Sequence, residues 1–184
     1  MAAEHGRLPP ARYHVAALGI LAQRGPGGLR AATLCTALGI PIGRIDEEFG
    51  SWAGFVEALL EYWEAEQTWA PAELALAVPD ARQRVESLKH LATTLPHEAE
   101  AAIRAWAHCD PVVRRTQQRV DAQRTEATRQ VIAGLGIDDA VARRLATMGI
   151  ALLAGMQQVH GPVDVAELRA VLDDYERLVL SELD

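Results

Sequence analysis

The sequence predicts an all-α protein of about nine helices. Gly and Pro cut it into helix-length pieces, apolar residues within the pieces recur every three or four positions, and no strand-length alternation of β-branched residues separates turn signals. The first helix is expected over residues 11–24, where Val15, Leu18, Leu21 and Ala22 repeat at helical spacing, and it stops at Gly25-Pro26-Gly27-Gly28. A short helix over 30–38 puts Leu34 and Leu38 on one face and ends at Gly39; after Pro41 a third runs over about 42–48. Two short helices joined through Gly39-Ile40-Pro41 form a helix-turn-helix pattern. Gly50-Ser51 closes the unit, and Ser51 is placed to cap a fourth helix over about 52–69 that carries Phe55, Val56, Leu59, Leu60, Tyr62 and Trp63.

Pro71 and Val78-Pro79-Asp80 then break the chain, which puts a domain boundary near Pro71 and divides the protein into residues 1–70 and 71–184. Asp80 caps a helix to residue 95 through Val85, Leu88 and Leu91. Pro96 opens a helix over 98–108, and Asp110-Pro111 opens a longer one to about 135 with a narrow stripe of Val113, Val120, Ala127 and Val131. Asp138 caps the next, to about 160, and after Gly161-Pro162 the last helix covers 164–183.

From 145 to 159 the penultimate helix is apolar nearly all round, which requires burial on more than one side. Small residues Gly149, Ala151, Ala154 and Gly155 would let a second helix approach closely, and the last helix has its own apolar stripe. Candidate dimer contacts are therefore Leu145, Met148, Gly149, Leu152 and Met156 on the first of these helices and Leu168, Val171, Leu172, Tyr175 and Leu178 on the second, four helices meeting at the interface. Burial within one chain is the alternative.

Composition narrows the function classes. With 184 residues, 49% hydrophobic and 23% charged, the chain can bury a sizeable core. A net charge of −7 repels polyanions unless positive charge is concentrated locally. Cys35 and Cys109 alone make no disulfide framework and fit a reducing compartment, so cytoplasm is expected. Residues 1–12, with Glu4, Arg7 and Pro9-Pro10, read as a short arm rather than a signal peptide. The apolar run at 150–156 falls short of the roughly 20 residues of a membrane span. His108, Cys109 and Asp110 are metal-ligand types, but consecutive helical side chains project about 100° apart. His97-Glu98-Ala99-Glu100 lacks the second His of a zinc-hydrolase helix, and no Gly-rich phosphate loop or Gly-x-Ser-x-Gly elbow occurs. No catalytic residue, metal or cofactor is expected.

Gly28-Leu29, Leu34, Leu38-Gly39-Ile40, Gly43, Ile45 and Phe49-Gly50-Ser51, in this order and without a gap, resemble the TetR family of transcription regulators. Ala16-Ala17-Leu18 with Leu21-Ala22-Gln23-Arg24-Gly25 is similar to that family's first helix, and Ile103-Arg104-Ala105-Trp106-Ala107 with Asp110-Pro111 to its ligand domain. The resemblance implies a homodimer with an N-terminal DNA-binding domain and a C-terminal domain that binds a small molecule and dimerises through its last two helices.

The departures lie on the polar surface. Pro41 and Ile42 replace Ser and Lys, Arg44 replaces Thr, Asp46, Glu47 and Glu48 replace Tyr, Arg and His, and Trp52 replaces a Lys that often meets phosphate. Candidate operator contacts are thus Arg30 to a phosphate, Arg44 to a guanine edge, and Asp46 or Glu48 to cytosine N4, with Pro41, Ile42 and Trp52 at the remaining contact positions. The alternative is a solvated acidic face on a relative that does not bind DNA and acts through a protein partner or ligand. Tyr62, Trp63, Trp69 and Trp106 either border a ligand pocket or pack a core. By family analogy the pocket lies between helices 82–95, 98–108 and 111–135, lined by Leu88, Leu91, Trp106 and Cys109, with His90 or Arg104 orienting a polar ligand group.

Overall fold

The computed structural model describes residues 8–159 and 161–183, and among these the chain forms ten α-helices and no strand. The expected arm falls for the most part on residues 1–7, outside the described residues. Helices α1 (Pro10–Arg24), α2 (Ala31–Leu38), α3 (Gly43–Phe49) and α4 (Trp52–Glu64) build the N-terminal unit. Between α2 and α3, Gly39 takes a left-handed conformation, φ 67°, that a side chain would strain, and the Ile40 amide donates back to the Cys35 carbonyl. Tyr13, Ala17, Leu21, Leu34, Ile45, Phe55 and Leu59 are buried together and fix α2 and α3 against α1 and α4. At the start of α4, Ser51 Oγ accepts from the Gly54 amide at 3.0 Å. A Cβ on Gly54 would lie 2.3 Å from the Phe49 carbonyl oxygen, so only glycine lets α4 start this close to the end of α3.

The expected break at Pro71 does not occur. After α4 the chain continues through a π-helical turn, Ala65–Trp69, into α5 (Ala70–Leu76), and the helical path ends only at residues 77–80. Proline offers no amide to an i−4 carbonyl, and the wider register just before it, in which the Ala70 amide donates to the Ala65 carbonyl, absorbs that loss. This extra segment accounts for ten helices against about nine.

Next come α6 (Ala81–Thr94), α7 (His97–Trp106), α8 (Pro111–Ala133), α9 (Asp139–Val159) and α10 (Val165–Leu180). All but α7, which follows Pro96, start at side-chain caps: Asp80 accepts from Gln83, Asp110 from Val112, Asp138 from Ala140 and Asp164 from Ala166. The stripe Val113, Val120, Ala127 and Val131 is buried along α8, which packs at length on α9. Helix α7 lies on α1, and Ala102, Ile103, Val113 and Val120 share one core with the N-terminal unit. Packing and helical path are therefore continuous across residue 71.

Candidate DNA-reading face and ligand cavity

The turn before α3 leaves Pro41 and Ile42 exposed, and α3 leaves Gly43, Asp46 and Glu47 exposed while Ile45 is buried beneath them. Arg44 Nη1 donates to Glu47 Oε2 at 2.9 Å, so the cation best placed to read a base is held by a carboxylate of its own helix. Glu48 is half-buried and engaged. Arg30 is exposed at the start of α2, its Nε donating to the Gly27 carbonyl at 3.1 Å. Trp52 does not present itself as a phosphate contact: it is half-buried, with its ring centroid 5.0 Å from that of Phe55.

Beneath this face His14 is buried among aromatic rings, 4.8 Å between centroids to Tyr62 and 5.9 Å to Phe49, and neither ring nitrogen has a partner. Burial lowers its pKa below the usual 6.5. Below pH 6.5 the unfolded chain binds a proton that the native histidine refuses, so stability is full above that pH and falls as pH drops, by at most about 1.4 kcal/mol per unit. The carboxylates Glu86, Glu126, Asp139 and Asp173 are held below their ordinary values, which moves their losses below about pH 4.5. Denaturant unfolding from pH 7.5 to 5 should show this decline, and His14→Phe should flatten it between pH 6.5 and 5.

Two adjoining cavities, of about 90 and 150 Å³, lie within the C-terminal helices and share Leu88, Ala92, Thr128, Ile150 and Leu153 as walls. The first extends to Val131, Leu135, Gly149, Leu172, Tyr175 and Val179; the second to Thr68, Ala72, Leu91, Leu95 and Arg124. At the mouth of the first, Lys89, the chain's single lysine, meets Asp173, Glu176 and Glu86 at 2.5, 2.7 and 3.3 Å. Burial works against that charge, but the three carboxylates outweigh it and raise the Lys89 pKa. Burial pushes Tyr175 up to about 12, and its hydroxyl donates to the Leu145 carbonyl.

Of the expected lining residues, Leu88 and Leu91 border the cavities. His90 is exposed and borders an open groove between α5 and α6. Arg104, Trp106 and Cys109 line neither cavity, because α7 turns its apolar side to α1; α9, α10 and the segment around Thr68 supply the walls instead. Arg104 forms a two-point pair with Asp121, both bonds 2.8 Å, Trp106 packs on the N-terminal core, and Cys109 is exposed in the α7–α8 turn. Trp63 is fully buried in that same core, whereas the Trp69 side chain is outside the described residues. Among the described residues no three His, Cys, Asp or Glu side chains converge as a metal site.

A buried ionic cluster, not anticipated from the sequence, joins the two halves. Arg124 on α8 donates to both Glu100 oxygens, at 2.6 and 2.8 Å, and Trp63 Nε1 on α4 donates to Glu100 Oε1 at 2.9 Å. Beside it Arg119 pairs with Glu64 at 2.7 Å. Since Arg124 also lines the second cavity, that cavity is one side chain removed from the Glu100 contact on α4. On the outer faces of α9 and α10, Met148 and Leu178 are 49% and 44% exposed; Val171 is half-buried, as are Leu152 and Met156, which pack against the cluster of Leu153, Leu168 and Leu172, and Tyr175, whose ring turns inward onto α9. Leu145, Gly149, Leu168 and Leu172 are buried within the protomer; a Cβ on Gly149 would stand 2.9 Å from the Tyr175 hydroxyl. These four fill the intramolecular seam rather than an outward surface.

No family model and no curated protein matches the sequence. Solved structures do. A transcriptional regulator from Rhodococcus sp. RHA1 superposes with a TM-score of 0.78 at 16% identity, covering 95% of this chain and 97% of its own. A TetR regulator from Legionella pneumophila gives 0.76 at 14% identity, over 92% and 98%. A candidate transcriptional regulator from Saccharomonospora viridis, solved with choline, gives 0.75 at 20% identity, over 90% and 94%. Over nine-tenths of its length, the chain has the fold of the TetR-family transcriptional regulators.

Proposed function

We propose that the protein is a homodimeric, ligand-responsive transcription regulator that reads DNA with α2 and α3 and takes a small molecule in the cavity bounded by α6, α8, α9 and α10. The helix-turn-helix carries this reading: its apolar framework is buried and complete, and it sets Arg30 and Arg44 on the outward side. Residues 1–70 then serve DNA and residues 71–184 serve ligand and dimer, in the cytoplasm and without catalysis or cofactor. No described helix is long and apolar enough to cross a membrane. The S. viridis neighbour's bound choline supports ligand binding by this fold. In an electrophoretic shift with the DNA upstream of its own gene, micromolar protein at low salt should retard the duplex; no retardation refutes the reading.

One observation favours a second reading. The Arg44–Glu47 pair and exposed Asp46 make α3 a poor polyanion surface, which suits a protein partner in place of DNA. Recovery of a stoichiometric protein partner together with no DNA retardation would select it.

Dimerisation through α9 and α10 carries its own prediction. Met148→Asp with Leu178→Asp places unpaired carboxylates in the interface, each costing several kcal/mol to bury, while both sites are open enough in one protomer to leave folding intact. Light scattering at micromolar concentration should find the variant monomeric and the wild type dimeric, with equal helical content by circular dichroism.

A further inference from the structure

Ile42 stands at the N-cap of α3 and is 61% exposed, whereas Ile45, three residues on, is 1% exposed and belongs to the core. Its aliphatic surface is therefore spared by the fold. Ile42 rims a shallow hollow between α2 and α3 whose other walls include Ala32, Ile40 and Pro41. Pro41 and Gly43 on either side of it are exposed as well, so three consecutive residues without a polar side-chain atom form the start of the helix. The backbone there is largely committed: Pro41 has no amide hydrogen, and the Pro41 and Ile42 carbonyls accept from the Arg44 and Ile45 amides at 3.1 and 3.3 Å. Nothing in the protomer asks for glycine at 43, where an added Cβ would meet no atom within 4 Å. Polar side chains begin at Arg44, which Glu47 meets at 2.9 Å.

The N-terminal residues of the second helix in a helix-turn-helix are the ones that meet base edges in the major groove. Those edges carry hydrogen-bond donors, acceptors and one kind of apolar group, the C5-methyl of thymine. Seated on a guanine, adenine or cytosine edge, the side chains of Pro41 and Ile42 would strip water from polar atoms and return no hydrogen bond. Against a thymine methyl the same surface is complementary. Burial of one methyl group against aliphatic carbon strengthens binding about fourfold, and the bare Gly43 beside Ile42 adds no side chain to hold the helix start away from the base.

We propose that Ile42 is a specificity-determining residue that reads the C5-methyl of a thymine in each half-site, an apolar contact beside the guanine contact of Arg44. The assignment rests on the DNA-binding reading above and names what one residue of that face recognises. The upstream duplex is synthesised once with dTTP and once with dUTP, which removes the methyl groups and leaves the hydrogen-bonding edges of the bases unchanged. Both duplexes are titrated at low salt with the full-length protein by fluorescence anisotropy. Wild type should bind the uracil duplex about fifteenfold more weakly, about fourfold for each half-site of a dimer. Ile42→Ala, at a position open enough to leave the fold intact, should bring the two duplexes within about twofold of each other, and Ile42→Val should keep most of the difference. Equal affinity of wild type for both duplexes, or a difference that Ile42→Ala leaves unchanged, overturns the assignment while DNA binding stands. No binding of the thymine duplex overturns DNA binding and this assignment together, and leaves the apolar start of α3 to a protein partner.

Discussion

Arg124→Ala is expected to lower the free energy of unfolding by about 3 to 5 kcal/mol, the cost of leaving a buried carboxylate without its cation. The Glu100 side chain is 2% exposed and that of Arg124 11%, so water cannot replace the two hydrogen bonds lost. For a protein of this size the loss corresponds to about 10 °C in Tm. Removing the whole cluster should cost much less. In Trp63→Phe/Glu100→Leu/Arg124→Met no charge or indole N–H is stranded, and most of the loss should be recovered, because a buried ion pair contributes little beyond a well-packed apolar replacement. Urea unfolding of the single and triple variants decides this, and a single variant within about 1 kcal/mol of wild type would show that water reaches Glu100.

Neutralising the outward carboxylates of α3, Asp46→Asn with Glu47→Gln, should raise DNA affinity about ten- to a hundredfold at low salt. A carboxylate about 6 Å from a phosphate is repelled by roughly 0.7 kcal/mol in bulk-water dielectric, and a dimer presents each twice. The Glu47 change also removes the carboxylate that Arg44 meets at 2.9 Å, and with it negative charge from the face proposed to meet the groove. Glu48, half-buried and engaged, is left in place. The gain should shrink as salt rises and screening shortens the reach of each charge. Equal affinity of variant and wild type at low salt would mean that α3 does not face DNA at all.

Helix starts were legible because the signal is local. Ser51, Asp80, Asp110 and Asp138 cap where an oxygen side chain precedes a helical apolar pattern, and the left-handed turn at Gly39 is marked by the only residue that adopts it freely. Pro71 misleads for a local reason too, since a π turn one step upstream lets the helix pass, and nothing in the residue types of Ala65–Trp69 announces that register. The cavity was least legible. Its walls combine Thr68, Leu88, Ile150 and Tyr175, brought together by packing alone, and α7 faces α1, so Arg104, Trp106 and Cys109 fall outside it. Leu145, Gly149, Leu168 and Leu172 belong to an apolar pattern that marks burial without saying whether the covering helix comes from the same chain.

In the proposed function, α2 and α3 grip DNA through Arg30 and Arg44 despite the acidic surround. Fluorescence anisotropy of a labelled upstream duplex, titrated with wild type and with Arg44→Ala from about 50 to 200 mM salt, measures it most directly. Binding is expected at low salt, falling steeply across this range and weakened about tenfold or more by Arg44→Ala. Absence of binding at micromolar protein and low salt, or binding indifferent to both salt and Arg44→Ala, contradicts it.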